Sequence, residues 1–186
     1  MTSSLVFKRI GVVGKPGVNE LNETLLSLIQ LLLEQGATVQ VSDDCALGAS
    51  LPHSISRTPR DHIGKNVDLV IVVGGDGSLL DVARKVSLHH APLLGVNRGR
   101  LGFLTDISPT ALSAQIPPIL KGEYQKESRM MLEARVMRGN ALIAESTALN
   151  DVVLSSKLID GTFPDYERVI PADNNKILVV DRKSFA

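Results

Sequence analysis

The run Asp68–Val73, Asp-Leu-Val-Ile-Val-Val, limits most strongly what this chain can fold into. It is apolar at every position after Asp68, so both faces of the strand that it forms must be covered. Strands buried on both faces are typical of the centre of a parallel sheet, where helical connections cover the two faces. The run therefore predicts an open parallel α/β sheet with this strand inside it.

The first 122 residues repeat an alternation of strand and helix that agrees with this prediction. The expected strands are 7–14, 38–42, 68–73 and 92–96, and the expected helices are 20–35, 78–90 and 109–120. The last helix is expected to be interrupted at Pro117-Pro118, because proline removes a hydrogen-bond donor. Residues 43–60 are expected to form a loop, followed by a short helical segment up to Asn66.

The sequence pattern changes near Glu123. Residues 129–137 and 141–154 alternate like antiparallel strands, joined at residues 138–140. We therefore expect an α/β domain over residues 1–122, and the start of an incomplete β-rich second domain over residues 123–155.

Composition excludes several classes of function. Lys plus Arg and Asp plus Glu both number 20, so a basic nucleic-acid surface is not expected. The start of the chain lacks the apolar core of a signal peptide, and no apolar run approaches the ~20 residues of a membrane span. We expect a cytoplasmic protein without a membrane partner, in which the single Cys45 is a bystander thiol.

The turn Gly74-Gly75-Asp76-Gly77-Ser78 follows the central strand and precedes a helix. Ligands of open parallel sheets bind at the carboxyl ends of the strands. Glycines let the backbone approach a ligand closely, and the helix N-terminus offers unpaired N–H groups. The turn therefore suits a phosphate, or a hydroxyl group about to receive one. The similar spacing at Gly14-Lys15-Pro16-Gly17 is too degenerate to identify a site.

Asp76 is unusual in such a turn, because a carboxylate repels a phosphate. It can take a proton from an attacking hydroxyl or hold a magnesium ion. The alternative is that Asp76 only caps the helix, a common task for aspartate.

Two further stretches carry polar or glycine-rich chemistry. Residues 97–106, Asn-Arg-Gly-Arg-Leu-Gly-Phe-Leu-Thr-Asp, also follow a strand and include Phe103. Asn150 and Asp151 lie side by side in an apolar run. Neighbouring strand residues point to opposite faces, so both can serve one ligand only at a strand end or bulge. A simple turn is the alternative for this pair.

Together, and in this order, the three stretches resemble the NAD kinases over residues 10–154. The Gly-Gly-Asp-Gly turn alone also resembles the diacylglycerol kinases, sphingosine kinases and phosphofructokinases, which are not expected to carry the other two stretches. The resemblance implies phosphorylation of the 2′-hydroxyl of the adenosine ribose of NAD, with ATP as donor and Mg²⁺ or another divalent cation. It further implies nucleotide partners and a homo-oligomer in the complete family member.

The resemblance also assigns site residues. Asp76 matches the family's catalytic base, and Gly75 and Gly77 match its substrate-binding neighbours. Asn150 and Asp151 match the pair that binds the nucleotide, and Phe103 matches a residue near the adenine.

After Leu154 the likeness to the NAD kinases ends. Residues 156–186, which include the string Leu-Ile-Asp-Gly-Thr-Phe-Pro-Asp-Tyr, resemble the bacterial DNA polymerase sliding clamp (β subunit). This indicates a chimeric or truncated chain in which most of the second domain is missing and the kinase activity is impaired. The alternatives are an inactive chimera and a clamp-derived module that binds partner peptides.

Overall fold

A computed structural model describes residues 4–45, 47, 51–52, 54–97, 104–105, 107–150 and 152. The chain divides into two compact units, Met1–Ser128 and Arg129–Ala186. Two candidate site residues, Phe103 and Asp151, lie outside the described residues, as does the clamp-like segment 156–186.

The first unit contains a five-stranded sheet in which every pairing is parallel. Its strands are β1 (Arg9–Gly14), β2 (Thr38–Ser42), β3 (Ser56–Thr58), β4 (Leu69–Val73) and β5 (Leu93–Val96), in the order β3-β2-β1-β4-β5. Its helices are α1 (Asn22–Glu34), α2 (Asp76–Val86) and α3 (Leu112–Leu120). The predicted open parallel α/β sheet is confirmed, with β4 lying between two neighbours.

Strand β4 is buried along its whole length because helices cover both faces of the sheet. Ile71 and Val73 belong to the larger core cluster, which also contains buried residues of α1 and α3. Val70 and Val72 belong to a second cluster, which contains buried residues of α2. The side chains of β4 therefore alternate between two apolar layers, as the run of consecutive apolar residues requires.

The predicted loop at residues 43–60 is wrong at β3, a three-residue strand at the edge of the sheet. Ser56, Arg57 and Thr58 pair with residues 40–42 of β2. All three side chains are polar and none is buried, so the sequence carries no apolar alternation there. Only the backbone pairing makes this segment a strand, and a sequence pattern does not record that pairing.

The predicted interruption of the last helix is also wrong, since α3 continues through Pro117 and Pro118 to Leu120. The two prolines cannot donate the hydrogen bonds that residues at these positions normally make. Tertiary contacts support the helix instead. Ile116 and Leu120 are fully buried, and the Leu120 carbonyl accepts hydrogen bonds from the backbone N–H groups of Val6 (2.8 Å) and Phe7 (3.3 Å).

The second unit is described as a two-stranded antiparallel hairpin of β6 (Leu132–Arg138) and β7 (Ala141–Ala148). The turn includes Gly139, whose φ of 59° suits glycine. The hairpin confirms that antiparallel β structure follows the α/β sheet, although β7 ends at Ala148 and not near Leu154. Among the described residues, no helix has the length and apolar character needed to cross a bilayer.

Candidate functional site

The strand order reverses between β1 and β4, and the region outside the carboxyl ends of these two strands is called the crevice below. Helix α1 leads from β1 to β2 on one side, whereas α2 leads from β4 to β5 on the other. Open α/β sheets bind ligands where the strand order reverses in this way, outside the carboxyl ends of the strands. Gly14 pairs in register with Val73, so the two segments that follow β1 and β4 leave the sheet side by side.

The glycine turn at this crevice has more space than its own packing requires. Gly75 and Gly77 are both exposed, and a Cβ added at either would meet no atom within 4 Å. Neither residue has a positive φ, and Gly77 lies in the first turn of α2. A glycine inside a helix costs about 0.5–1 kcal/mol relative to alanine. The fold alone therefore favours alanine at Gly77, and the open space suits close approach of a ligand.

Asp76 is the first residue of α2, and Gly75 occupies the N-cap position before it. The Asp76 side chain is half-buried, and its Oδ1 accepts a hydrogen bond of 3.0 Å from the backbone N–H of Leu104. A segment 28 residues further along the chain thus orients this carboxylate. The carboxylate also lies at the N-terminus of α2, where the helix dipole stabilises negative charge.

Close packing against β5 determines where Leu104 lies. A Cβ added at Gly95 would come within 2.8 Å of Thr105 Cγ2 and within 3.0 Å of Thr105 Cα. Beyond Thr105, Ile107 donates its backbone N–H to the Gly95 carbonyl (3.3 Å) and accepts from the backbone N–H of Asn97 (2.7 Å). Sequence reasoning missed this contact. A glycine inside an apolar strand often indicates a close backbone approach, and Gly95 was the available signal.

A buried arginine lies at the same edge of the sheet. Arg60, in a short 3₁₀ helix after β3, donates from Nε to Asp44 Oδ2 (2.5 Å) and from Nη2 to Asp44 Oδ1 (3.1 Å). Its Nη2 also donates to the Gly14 carbonyl (2.5 Å). Burial alone would raise the pKa of Asp44, but hydrogen bonds from Arg60 and Ser42 hold it below the ordinary value. Sequence reasoning did not identify Arg60, which it assigned to the end of a loop.

Cys45 lies next to this cluster and completes the contacts of Gly14. Its sulfur accepts a hydrogen bond of 3.1 Å from the Gly14 backbone N–H. Burial raises the pKa of the Cys45 thiol, so it is a poor nucleophile near neutral pH. Through this contact Cys45 helps to hold the end of β1.

The other candidate residues lie in the second unit or outside the described residues. Asn150 is exposed and lies two residues beyond the end of β7 in the second unit. The proposed pairing of Asn150 with Asp151 on one ligand stays a prediction. Phe103 and Asp151 lie outside the described residues.

The described residues contain no cluster of three or more His, Cys, Asp or Glu side chains that could hold a metal ion. A structural metal cage is therefore absent from this part of the chain. A magnesium ion bound mainly by phosphate oxygens and water needs only one or two carboxylates. Asp76 supplies one carboxylate at the glycine turn, and one carboxylate is compatible with that second arrangement.

Comparison with known proteins gives consistent results. Residues 10–124 match the family model described as the ATP-NAD kinase N-terminal domain. The chain is 45% identical over 149 residues to the NAD kinase of Pseudomonas entomophila (strain L48), which covers 80% of this chain and 50% of that protein. It is 44% identical over 149 residues to the NAD kinase of Pseudomonas fluorescens (strain SBW25). The chain thus spans about half the length of the curated relatives it matches.

A solved structure shows a similar fold. The crystal structure of yeast NADH kinase complexed with NADH superimposes with a TM-score of 0.65 at 21% sequence identity. The superposition covers 77% of this chain and 47% of the yeast chain.

Proposed function

The chain belongs to the NAD kinase family, and from this premise we propose that its glycine turn serves the transfer of a phosphoryl group from ATP to NAD. The acceptor is the 2′-hydroxyl of the adenosine ribose, and the product is NADP. In this proposal the glycine turn positions the phosphate and the acceptor hydroxyl at the crevice between β1 and β4. Nucleotides are therefore the partners that we propose for this surface.

The open space at Gly75 and Gly77 is the observation that carries this proposal. In the described structure, neither a positive φ nor a close neighbouring atom explains why glycine stands at these two positions. A phosphate or ribose group that packs against the backbone explains them, because any side chain there would occupy its place. The N-terminus of α2 adds N–H groups and a positive partial charge.

We assign the role of proton acceptor to Asp76. Its carboxylate is held in one orientation by the Leu104 N–H, as a general base must be to reach a hydroxyl proton. A bound Mg²⁺ ion would neutralise charge on the transferring phosphates. The family resemblance adds Asn150 and Asp151 as residues that bind the ribose or the nucleotide, and Phe103 as a residue near the adenine.

Replacing Gly77 with alanine tests whether a ligand occupies the open space at this glycine. The variant is made in an extended enzyme, in which residues 1–154 are joined to the remaining part of the Pseudomonas entomophila relative. We expect the helix to gain about 0.5–1 kcal/mol, because alanine is the better helix former. We expect turnover to fall by about 10²-fold, because the methyl group displaces the substrate by ~1 Å.

The measurements are urea unfolding and NADP formation on the same samples. Ser113→Ala serves as the control, since it improves helix propensity at an exposed position of α3 far along the chain from the turn. Equal activity of the Gly77 and Ser113 variants would contradict the proposal that a ligand occupies the space at Gly77.

A polypeptide of these 186 residues is expected to show little or no NADP formation by itself. Phosphoryl transfer depends on the positioning of groups around the nucleotide, and we assign part of that positioning to residues outside this chain. Titration with NAD and with ATP, followed by an NADP-formation assay, tests this expectation. Turnover equal to that of the extended enzyme would contradict it.

As a second candidate function, we propose that the clamp-like segment, residues 156–186, binds partner peptides; only its sequence supports this. Adding a sliding-clamp-binding peptide to the titration tests it. Peptide binding without nucleotide binding would favour a clamp-derived module over a kinase domain. We also propose that the protein is cytoplasmic and that the complete family member forms a homo-oligomer.

A further inference from the structure

Arg60 is the one charged residue that is buried among the residues that the structure describes, with 8% of its surface exposed. A buried arginine requires partners for its donors, and Arg60 has three. Arg60 donates hydrogen bonds to both carboxylate oxygens of Asp44 and to the backbone carbonyl of Gly14. It also forms an ion pair of 3.6 Å between its Nη1 and Asp81 Oδ2. These partners lie in the turn after β2, at the end of β1 and in α2.

The contact with Gly14 determines how β1 ends. The pairing of β1 with β2 stops at Val12 and Val41, so Gly14 extends beyond its neighbour on that side. Two side chains take the place of the missing strand: Arg60 donates to the Gly14 carbonyl, and Cys45 accepts from the Gly14 N–H. The direction in which the chain leaves β1 toward Lys15 and Gly17 is therefore held by these side chains.

The contact with Asp81 reaches the helix on the other side of the crevice. Asp81 lies in α2, the helix whose first residue is Asp76. The same 3₁₀ helix that carries Arg60 makes a second ionic contact with α2, between Lys85 Nζ and Asp61 Oδ1 (2.6 Å). Arg60 thus joins the end of β1 to the helix that begins at the glycine turn.

We propose that Arg60 is a positioning residue for nucleotide binding: it holds the segments 14–17 and 74–79 at a fixed separation across the crevice without touching the nucleotide. The link to nucleotide binding rests on the proposed function, whereas the effect of Arg60 on the two segments can be tested independently of that function. Arg60 is poorly placed to bind a ligand, because its side chain is only 9% exposed and is committed to protein partners. Its planar, forked donors suit the simultaneous contacts better than lysine would.

Hydrogen exchange of the 186-residue chain, followed by mass spectrometry, tests this proposal without a ligand. In Arg60→Met, we expect exchange in peptides covering 12–18 and 74–80 to rise by about 10-fold or more, as the loss of a charge-assisted hydrogen bond implies. Exchange in the middle of α1 should change much less. Arg60→Lys, which keeps the charge without the fork, should show the same pattern at a smaller amplitude and decides the matter if Arg60→Met does not fold.

Two matched variants separate positioning from general stability. Leu28→Ala weakens the core away from the crevice, and should raise exchange in all three regions together. Asp61→Asn breaks the exposed ion pair between the same two helices, and should leave both crevice segments unchanged. If the Arg60 variants follow the uniform pattern of Leu28→Ala, the positioning role is wrong.

Nucleotide titration of the same variants in the extended enzyme links the result to function. We expect Arg60→Lys to weaken ATP or NAD binding by several-fold relative to Asp61→Asn. If the extended enzyme with native Arg60 binds neither nucleotide, the proposed function fails, whereas the exchange result still decides the role of Arg60. If hydrogen exchange rises in the two crevice segments but nucleotide binding is not weakened, Arg60 does not act on nucleotide binding.

Discussion

Replacing Asp76 with asparagine in the extended enzyme is expected to lower turnover for NADP formation by about 10²-fold or more, while the fold is kept. Asparagine has the same shape as aspartate but cannot take a proton from the ribose hydroxyl. Its side-chain oxygen can still accept the hydrogen bond from the Leu104 N–H, so the orientation of the side chain should survive. The change therefore isolates proton acceptance from positioning.

The alternative role of Asp76, stabilising the start of its helix, predicts a different result. Loss of a carboxylate in the first turn of an exposed helix costs typically about 0.3–1 kcal/mol, and affects stability more than rate. Glu23→Gln is the matched control, since Glu23 is an exposed carboxylate in the first turn of α1. NADP formation and urea unfolding are measured for both variants. Unchanged turnover in Asp76→Asn would show that Asp76 acts only on the helix.

Ile71→Ala is expected to lower the free energy of unfolding by about 2–5 kcal/mol, because it leaves a cavity at the middle of the sheet. Ile71 is fully buried, and its neighbours in register are Val12 of β1 and Leu94 of β5. A typical domain is stable by only about 5–15 kcal/mol, so one such change removes a large part of the total. Helices on both faces restrict relaxation of β4 into the cavity.

Urea unfolding followed by circular dichroism measures this effect. The control is Val136→Ala in β6, where the side chain is 58% exposed and the change should stay within about 0.5 kcal/mol. Equal losses in the two variants would contradict the assignment of β4 to the interior of the sheet.

The sequence was sufficient to predict elements whose residues carry a strong apolar pattern. Leu69–Val73 is apolar throughout, and its burial between two strands follows from that pattern alone. Ser56–Thr58 has no such pattern, because its side chains are polar and its strand depends on backbone pairing with β2. The helix break predicted at Pro117-Pro118 was wrong for a related reason, because the burial of Ile116 and Leu120 outweighs the low helix propensity of proline.

The candidate site was predictable only where its chemistry is contiguous in sequence. Asp76 and its glycines stand together in one turn, so their residue types were sufficient to select them. Arg60 and Leu104 become part of the site through contacts with residues 28 or more positions away. No local pattern records such contacts, because they depend on the order in which the strands assemble.

The hydrogen bond between Leu104 and Asp76 has a consequence for how this chain tolerates sequence change. The group that orients the carboxylate is a backbone amide, which every amino acid except proline possesses. The side chain at position 104 packs against the apolar cluster beside α2, so exchange among aliphatic residues there can proceed without disturbing the carboxylate. In a saturation library, position 104 should therefore look like an ordinary core site that excludes proline, and nothing in the tolerated residues would reveal its contact with Asp76.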